Sequence, residues 1–297
     1  MDISIIRPKP LKEGDKVGIA APAGPFKIDR FEKGLEVIRA MGFEPVFDEA
    51  VFARDRHLAG LDKQRAGLIN RLFADDAVKA IFCARGGFGC LRVLPYMDYD
   101  LIRENPKTLI GFSDITALLV TLRQRCGLAG VHGPVVTSLA FADQGSKERL
   151  KQVLTTGAPV DLSPVDPIVV KQGRVNGIVT GGNLATLCHL VGTDYAPDFN
   201  GKIVLLEDVN EAPYSIDRML TQMRLAGCFD SMAGLVLGSF KDCGSFENIL
   251  NVIKDVFDGF DGPILAGFEV GHGRPNLAIP VGIEAELDTD RKNLRFL

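Results

Sequence analysis

The sequence predicts an α/β protein in two parts: an N-terminal domain on a mostly parallel sheet, then a smaller C-terminal domain of mixed, barrel-like β/α character. Three observations carry this. Short apolar runs alternate with helical periods through the first half, the mark of repeated βα units. The segment from Gly157 to Pro167 then carries three prolines and no helical period. Beyond it the strands become shorter and more frequent. The expected division is residues 1–157 for the first domain, 158–170 for a linker and 171–297 for the second domain.

Taken in order, Lys16–Ala21 is a strand ending in the turn Pro22-Ala-Gly-Pro25, and Asp29 is placed to cap a helix with Phe31, Leu35 and Ile38 on one face, stopped at Gly42. A second strand begins at Pro45. A helix over 62–73 precedes the strand Val78–Ala84, which runs into Arg85-Gly-Gly-Phe-Gly89. A helix over 100–104 stops before Pro106, the strand Thr108–Phe112 meets Ser113, and a helix follows up to Gly127. Residues 146–156 form the last helix of this half. In the second half, strands are expected at 174–179, 202–206, 235–240, 264–268 and 277–287, with helices at 183–190, 215–226 and 246–257.

Composition narrows the function. Hydrophobic residues make up 46% and charged residues 24% of the 297, with a formal net charge of −4. No basic tract with interleaved aromatics is present, so nucleic acid is not an expected partner. No run approaches a membrane span, and the first ten residues lack the apolar core of a signal peptide, so a cytoplasmic location is expected. The six cysteines form no C-x-x-C pair, and no H-E-x-x-H occurs. These absences point away from a metal site.

Ser113 is the most informative residue. It ends an apolar strand and begins a helix, the corner where a hydroxyl is exposed beside free backbone N–H groups, as a nucleophile requires. A serine before a helix also serves as an N-cap. A base must come from four histidines. His272 follows a strand and lies between two glycines, which permit close approach of a ligand; a solvated loop position is the plainer alternative. His132, in Val131-His-Gly-Pro134, is the second candidate. His189 sits inside a helical pattern and His57 among charges. An orienting carboxylate is available where the apolar strand Ile203–Leu206 ends in Glu207 and Asp208, with Glu211 close behind. Acids before a helix are also favoured by its dipole. An oxyanion hole needs two backbone N–H groups. Asp114 offers one, and a glycine of the Arg85–Gly89 loop the other. That loop also reads as an anion-binding turn, and Gly181-Gly182-Asn183 as a second anion site or a helix cap. Cys83 and Cys90, which flank the first loop, allow a cysteine hydrolase instead.

These segments, in sequence order, resemble the LD-carboxypeptidases, a family of serine peptidases that includes the muramoyl-tetrapeptide carboxypeptidases and the microcin C self-immunity proteins. The matching stretches are Gly18-Ile-Ala-Ala-Pro-Ala-Gly24, Ala84-Arg-Gly-Gly-Phe-Gly89, Leu109-Ile-Gly-Phe-Ser-Asp114, Gly181-Gly-Asn-Leu184, Leu206-Glu-Asp-Val209 with Tyr214-Ser-Ile-Asp-Arg218, and Gly271-His-Gly273. They cover nearly the whole chain.

The resemblance implies a flavodoxin-like or glutamine-amidotransferase-like first domain and a triad of Ser113, Glu207 and His272. The serine would come from the first domain, the acid and base from the second, and the site would lie between them. Asp114 and Gly87, with Gly86 as the alternative, would form the oxyanion hole. The resemblance further implies a homodimer with no metal or cofactor. The implied reaction is hydrolysis of the amide between an L-centre (meso-diaminopimelate or L-Lys) and the terminal D-Ala of a murein tetrapeptide, in cell-wall recycling. Arg85 and Arg274 are candidates to receive the substrate carboxylate. Within the family, the immunity proteins cleave aminoacyl-adenylate-like amides and stack a tryptophan on the base; this chain has no tryptophan. A non-catalytic muropeptide-binding module on the same fold is the remaining alternative.

Overall fold

The computed structural model describes residues 3–157 and 160–297; Ala158 and Pro159, the first two residues of the expected linker, lie outside the described residues. The chain packs as two compact units. The first comprises the chain up to Gly157 together with Leu277–Pro280, and the second the chain beyond it up to Asn276 together with Val281–Leu297.

The first unit is built on β1 (Lys16–Ala20), β2 (Glu44–Val46), β3 (Val78–Cys83), β4 (Thr108–Gly111) and β5 (Gly130–His132). The sheet order is Ile279–Val281, β5, β4, β3, β1, β2. The β1–β2, β1–β3, β3–β4 and β4–β5 pairings are all parallel. Parallel strands covered on both faces read as unbroken apolar runs, and Ala80–Cys83 and Leu109–Gly111 are buried throughout. Phe26, Phe31, Phe47 and Phe52 form a ring cluster in this unit, with centroids 4.7–5.8 Å apart. Each such pair adds about 0.5–1.5 kcal/mol beyond its buried area. The helix Ile28–Ala40 starts one residue earlier than its expected cap: Lys27 is the N-cap, and Asp29 lies in the first turn, where it faces the helix dipole.

The second unit holds β6 (Ile168–Lys171), β7 (Arg174–Asn183), β8 (Lys202–Val209), β9 (Gly234–Lys241) and β10 (Ile264–Ala266). With Ile279–Val281 counted as β11, it adds β12 (Glu284–Asp288) and β13 (Asn293–Phe296). The order β13-β12-β7-β8-β9-β10-β6 is parallel from β7 to β10 and antiparallel at both flanks. Leu162, just ahead of edge strand β6, exchanges backbone hydrogen bonds with Leu294 of the opposite edge strand. That bridge draws the two ends of the sheet toward each other, the curl expected of a barrel-like domain. The single strand expected over 277–287 is two strands: β11 joins the first sheet and β12 the second, separated at Gly282, whose φ is +85°.

Candidate active site

Ser113 follows β4 in a single 3₁₀ turn, Ser113–Ile115, that leads into the helix Thr116–Cys126. Its φ is +64°. Left-handed backbone is costly for a residue with a Cβ, so this is a strained corner of the kind that presents a nucleophile. The N-cap of the turn is Phe112 and that of the helix is Ile115, and neither makes a side-chain cap. The capping role open to Ser113 from sequence is therefore not filled by it.

The Arg85–Gly89 loop leaves β3, next to β4 in the sheet, and comes directly against Ser113. A Cβ on Gly86 would lie 2.9 Å from Ser113 Cβ and 3.1 Å from its Oγ, so only glycine fits there. The Gly86 carbonyl accepts from Gly24 N–H (3.2 Å), which ties the loop to the turn after β1. Gly87 has φ +108°, and a Cβ there would meet nothing closer than 3.8 Å. Asp114 is buried, and its Oδ2 accepts from Cys90 N–H at 2.8 Å. The Arg85 guanidinium donates to the Pro25 carbonyl.

In the second unit the parallel register slips beside Glu207. Leu206 pairs with Leu237 and Asp208 with Phe240, so Gly238 and Ser239 together oppose one residue. Bulges of this kind re-aim side chains next to sites. Glu207 is fully buried, and its Oε2 accepts from both the His272 ring Nδ1 (2.7 Å) and the His272 backbone N–H (3.1 Å). A Cβ on Gly271 would lie 2.2 Å from that same oxygen, and Gly271 has φ +107°. The His272 loop is pinned on either side of the ring. Ser239 Oγ accepts from Gly273 N–H at 2.8 Å and donates to the Val270 carbonyl at 3.1 Å, and Asn276 Oδ1 accepts from Gly271 N–H at 3.0 Å.

Burial works against charge on the His272 ring. The hydrogen bond and negative charge of Glu207, with Asp208 behind it, outweigh that and hold the ring above the ordinary imidazole value. With Nδ1–H committed to the carboxylate, the neutral ring keeps Nε2 as its acceptor. Asp208 is the less suited carboxylate. Burial, reinforced by the Glu207 charge, pushes it up to about 6, and its oxygens are occupied by Val209 N–H, Ala185 N–H and the Asn183 amide.

The other candidates fall in less suitable places. His132 is completely buried in β5, its ring edge-on to Phe112. His57 is exposed against Phe88, and His189 is exposed on the helix Leu184–Leu190. Asn183 caps that helix through Thr186 N–H, so the Gly181–Asn183 segment is a strand end and a cap. Gly181 admits the Leu205 carbonyl at 2.3 Å from where its Cβ would stand. Cys83 and Cys90 are fully buried, and burial with the nearby Asp114 charge pushes both thiols well above their ordinary range. That keeps them protonated at neutral pH and removes the cysteine-nucleophile reading. Arg274 is exposed. Sequence reasoning missed Ser239 and Asn276, which carry no local signal; their roles arise from the bulge and the loop they hold.

Two family models match the chain: the LD-carboxypeptidase N-terminal domain over residues 17–133 and the LD-carboxypeptidase C-terminal domain over 176–287. The murein tetrapeptide carboxypeptidase of Pseudomonas aeruginosa is 33% identical, over 93% of this chain and 94% of its own. This chain belongs to the LD-carboxypeptidase family. The microcin C7 self-immunity protein MccF of Escherichia coli is 29% identical, over 96% of this chain and 94% of its own. The crystal structure of an MccF-like protein from Bacillus anthracis superposes with a TM-score of 0.91 at 26% identity, over 98% of this chain and 99% of that one. The family's α/β first domain and mixed second domain are those described above, and this chain is a serine carboxypeptidase. Among the described residues no helix is long and apolar enough to cross a membrane, and no group of three or more His, Cys, Asp or Glu is placed to hold a metal.

Proposed function

We propose that this LD-carboxypeptidase removes the terminal D-Ala from murein tetrapeptides, with Ser113 as nucleophile, His272 as general base and Glu207 as the carboxylate that orients it. The observation that carries the reading is the buried Glu207 carboxylate on His272 Nδ1 at 2.7 Å, which fixes the tautomer a base needs. The strained φ of Ser113 supports the nucleophile. Ser113 Oγ adds to the carbonyl of the L-centre while its proton passes to His272 Nε2. The tetrahedral oxyanion is met by Asp114 N–H and a glycine N–H of the 86–87 pair. Collapse expels D-Ala, which takes the proton from His272. Water then adds to the acyl-enzyme, losing a proton to the same ring, and Ser113 is regenerated.

The name of the Pseudomonas relative supports the tetrapeptide substrate, and the family resemblance implies meso-diaminopimelate or L-Lys as the L-centre. Arg85, at the mouth of the glycine loop, and Arg274, two residues from His272, are the cations we assign to the substrate carboxylate. Such a substrate arises when cell-wall fragments are recycled, so we assign the enzyme to the cytoplasm, and, as the family resemblance implies, we take it to act as a homodimer. The test is D-Ala release from tri-, tetra- and pentapeptides run beside hydrolysis of an aminoacyl-sulfamoyl adenosine. Release from the tetrapeptide alone is expected. Preferential cleavage of the adenosine compound would assign the chain to the MccF type of reaction instead. Peptide binding without release would make it a binding module.

A further inference from the structure

Arg65 is an arginine inside a helix, Asp62–Ala74, yet only 2% of its surface is exposed. Its guanidinium makes four hydrogen bonds, to carbonyls of three separate loops and to Asp62. Nε donates to the Gly60 carbonyl at 3.2 Å, and Nη1 donates to the Pro22 carbonyl and to the Gly89 carbonyl at 2.9 Å. Nη2 donates to Asp62, whose carboxylate is gripped from the other side by Arg92 through Nε and Nη2 at 2.8–3.0 Å. The Pro22 loop is the one whose Gly24 bonds Gly86, and Gly89 closes the glycine loop itself. Gly89 is fitted to this contact: its φ is +138°, and a Cβ would stand 2.7 Å from Arg65 Nη1. At the next residue, Cys90 N–H is held by the Asp114 carboxylate.

We propose that Arg65 is a positioning residue for the oxyanion hole: by binding the Pro22 and Gly89 carbonyls together it sets the Gly86–Gly87 backbone against Ser113. The inference rests on the serine mechanism above. A buried guanidinium costs much desolvation unless its donors are paired, and Arg65 makes four hydrogen bonds, so this cluster is a rigid arrangement rather than a surface convenience. A planar five-donor fork can serve three carbonyls and a carboxylate at once, which a lysine ammonium cannot. Rigid placement matters because an oxyanion donor acts only if it already points at the developing charge.

The experiment compares wild type with Arg65→Lys and Asp62→Ala. It uses steady-state D-Ala release, binding of the tripeptide product, and inhibition by a peptide boronic acid carrying boron in place of the scissile carbonyl carbon. The boronate forms a tetrahedral adduct with the serine oxygen and so reads the hole directly. Removing one oxyanion donor costs about 10²–10³ in kcat, and Arg65→Lys should approach the lower figure. Boronate affinity should fall in parallel, while product affinity and the apparent pKa of the pH–rate profile stay put. Asp62→Ala, at a partly exposed position, should show the same pattern more weakly, and it decides the question should the lysine variant not fold. Unchanged kcat and boronate affinity, or a loss of product affinity equal to the loss of kcat, would overturn the proposal. Ser113→Ala assayed alongside separates the two inferences: if that variant stays active, the serine mechanism itself fails, whatever Arg65 does.

Discussion

At the scale of single residues, the site depends on two carboxylates one position apart that behave differently. Glu207, opposite the bulge in β9, meets His272, whereas Asp208 turns to Val209 N–H of its own strand, Ala185 N–H of the helix Leu184–Leu190 and the Asn183 side-chain amide, and rises to about 6. Because Glu207 and Asp208 hold the His272 ring above the ordinary imidazole value, the base is neutral only above that raised value. The acid limb of kcat/KM should therefore lie above about pH 6.5, the unperturbed imidazole value, with activity lost as pH falls through it. In Glu207→Gln the main raising influence is gone while burial remains, so the limb should shift to lower pH. Its kcat should fall by about 10³–10⁴-fold, since the ring loses its fixed tautomer. A limb that stays in place, measured from about pH 4.5 to 9, would show that His272 is not the base. The Ser113 backbone makes a separate prediction. Glycine tolerates φ +64° and alanine does not, so Ser113→Gly should be more stable than Ser113→Ala by about 1 kcal/mol, read from urea midpoints. Equal stabilities would argue that the corner is relaxed.

At the scale of elements, strand ends do the positioning. Ser113 stands just past β4, the glycine loop past β3, Glu207 near the end of β8 and His272 beyond β10. These placements are legible in the sequence because each residue ends an apolar run. The choice between Glu207 and Asp208 is open at the level of pattern, because it turns on a register slip in a neighbouring strand. Apolar pattern alone ends a strand at Val179, but β7 continues through Gly181 and Gly182 to Asn183, since a strand can hold glycine where the Leu205 carbonyl comes close. The three-residue strand β5 is too short to show a period, and β6 follows a proline-rich stretch. In sequence Arg65 reads as an ordinary charged helix residue, because its backbone partners lie 5, 24 and 43 residues away. The His272 loop can be tested at this scale. Gly271→Ala forces a Cβ into the Glu207 carboxylate at a positive φ, so it should cost about 1–3 kcal/mol of stability and most of kcat. Calorimetry and D-Ala release check both; an active, stable Gly271→Ala protein would mean that the loop is free to move.

At the scale of the whole molecule, each unit brings one half of the proposed chemistry already assembled. The first supplies the serine with its glycine loop, and the second the acid–base pair. In both halves side chains hold backbone groups in place: Arg65 and Asp114 in the first, Ser239, Asn276 and Glu207 in the second. Five of the six cysteines are buried, and Cys228 is partly exposed. Iodoacetamide at neutral pH should therefore leave D-Ala release intact even where it alkylates Cys228; inactivation that tracks labelling of Cys83 or Cys90 would revive a thiol mechanism. The central claim is that Ser113 is the nucleophile. Its most direct test is the rate of D-Ala release from a murein tetrapeptide by purified Ser113→Ala protein, shown to be folded. A fall in kcat of up to about 10⁶-fold with peptide binding retained is expected; release within about tenfold of the wild-type rate would rule out Ser113 as the nucleophile.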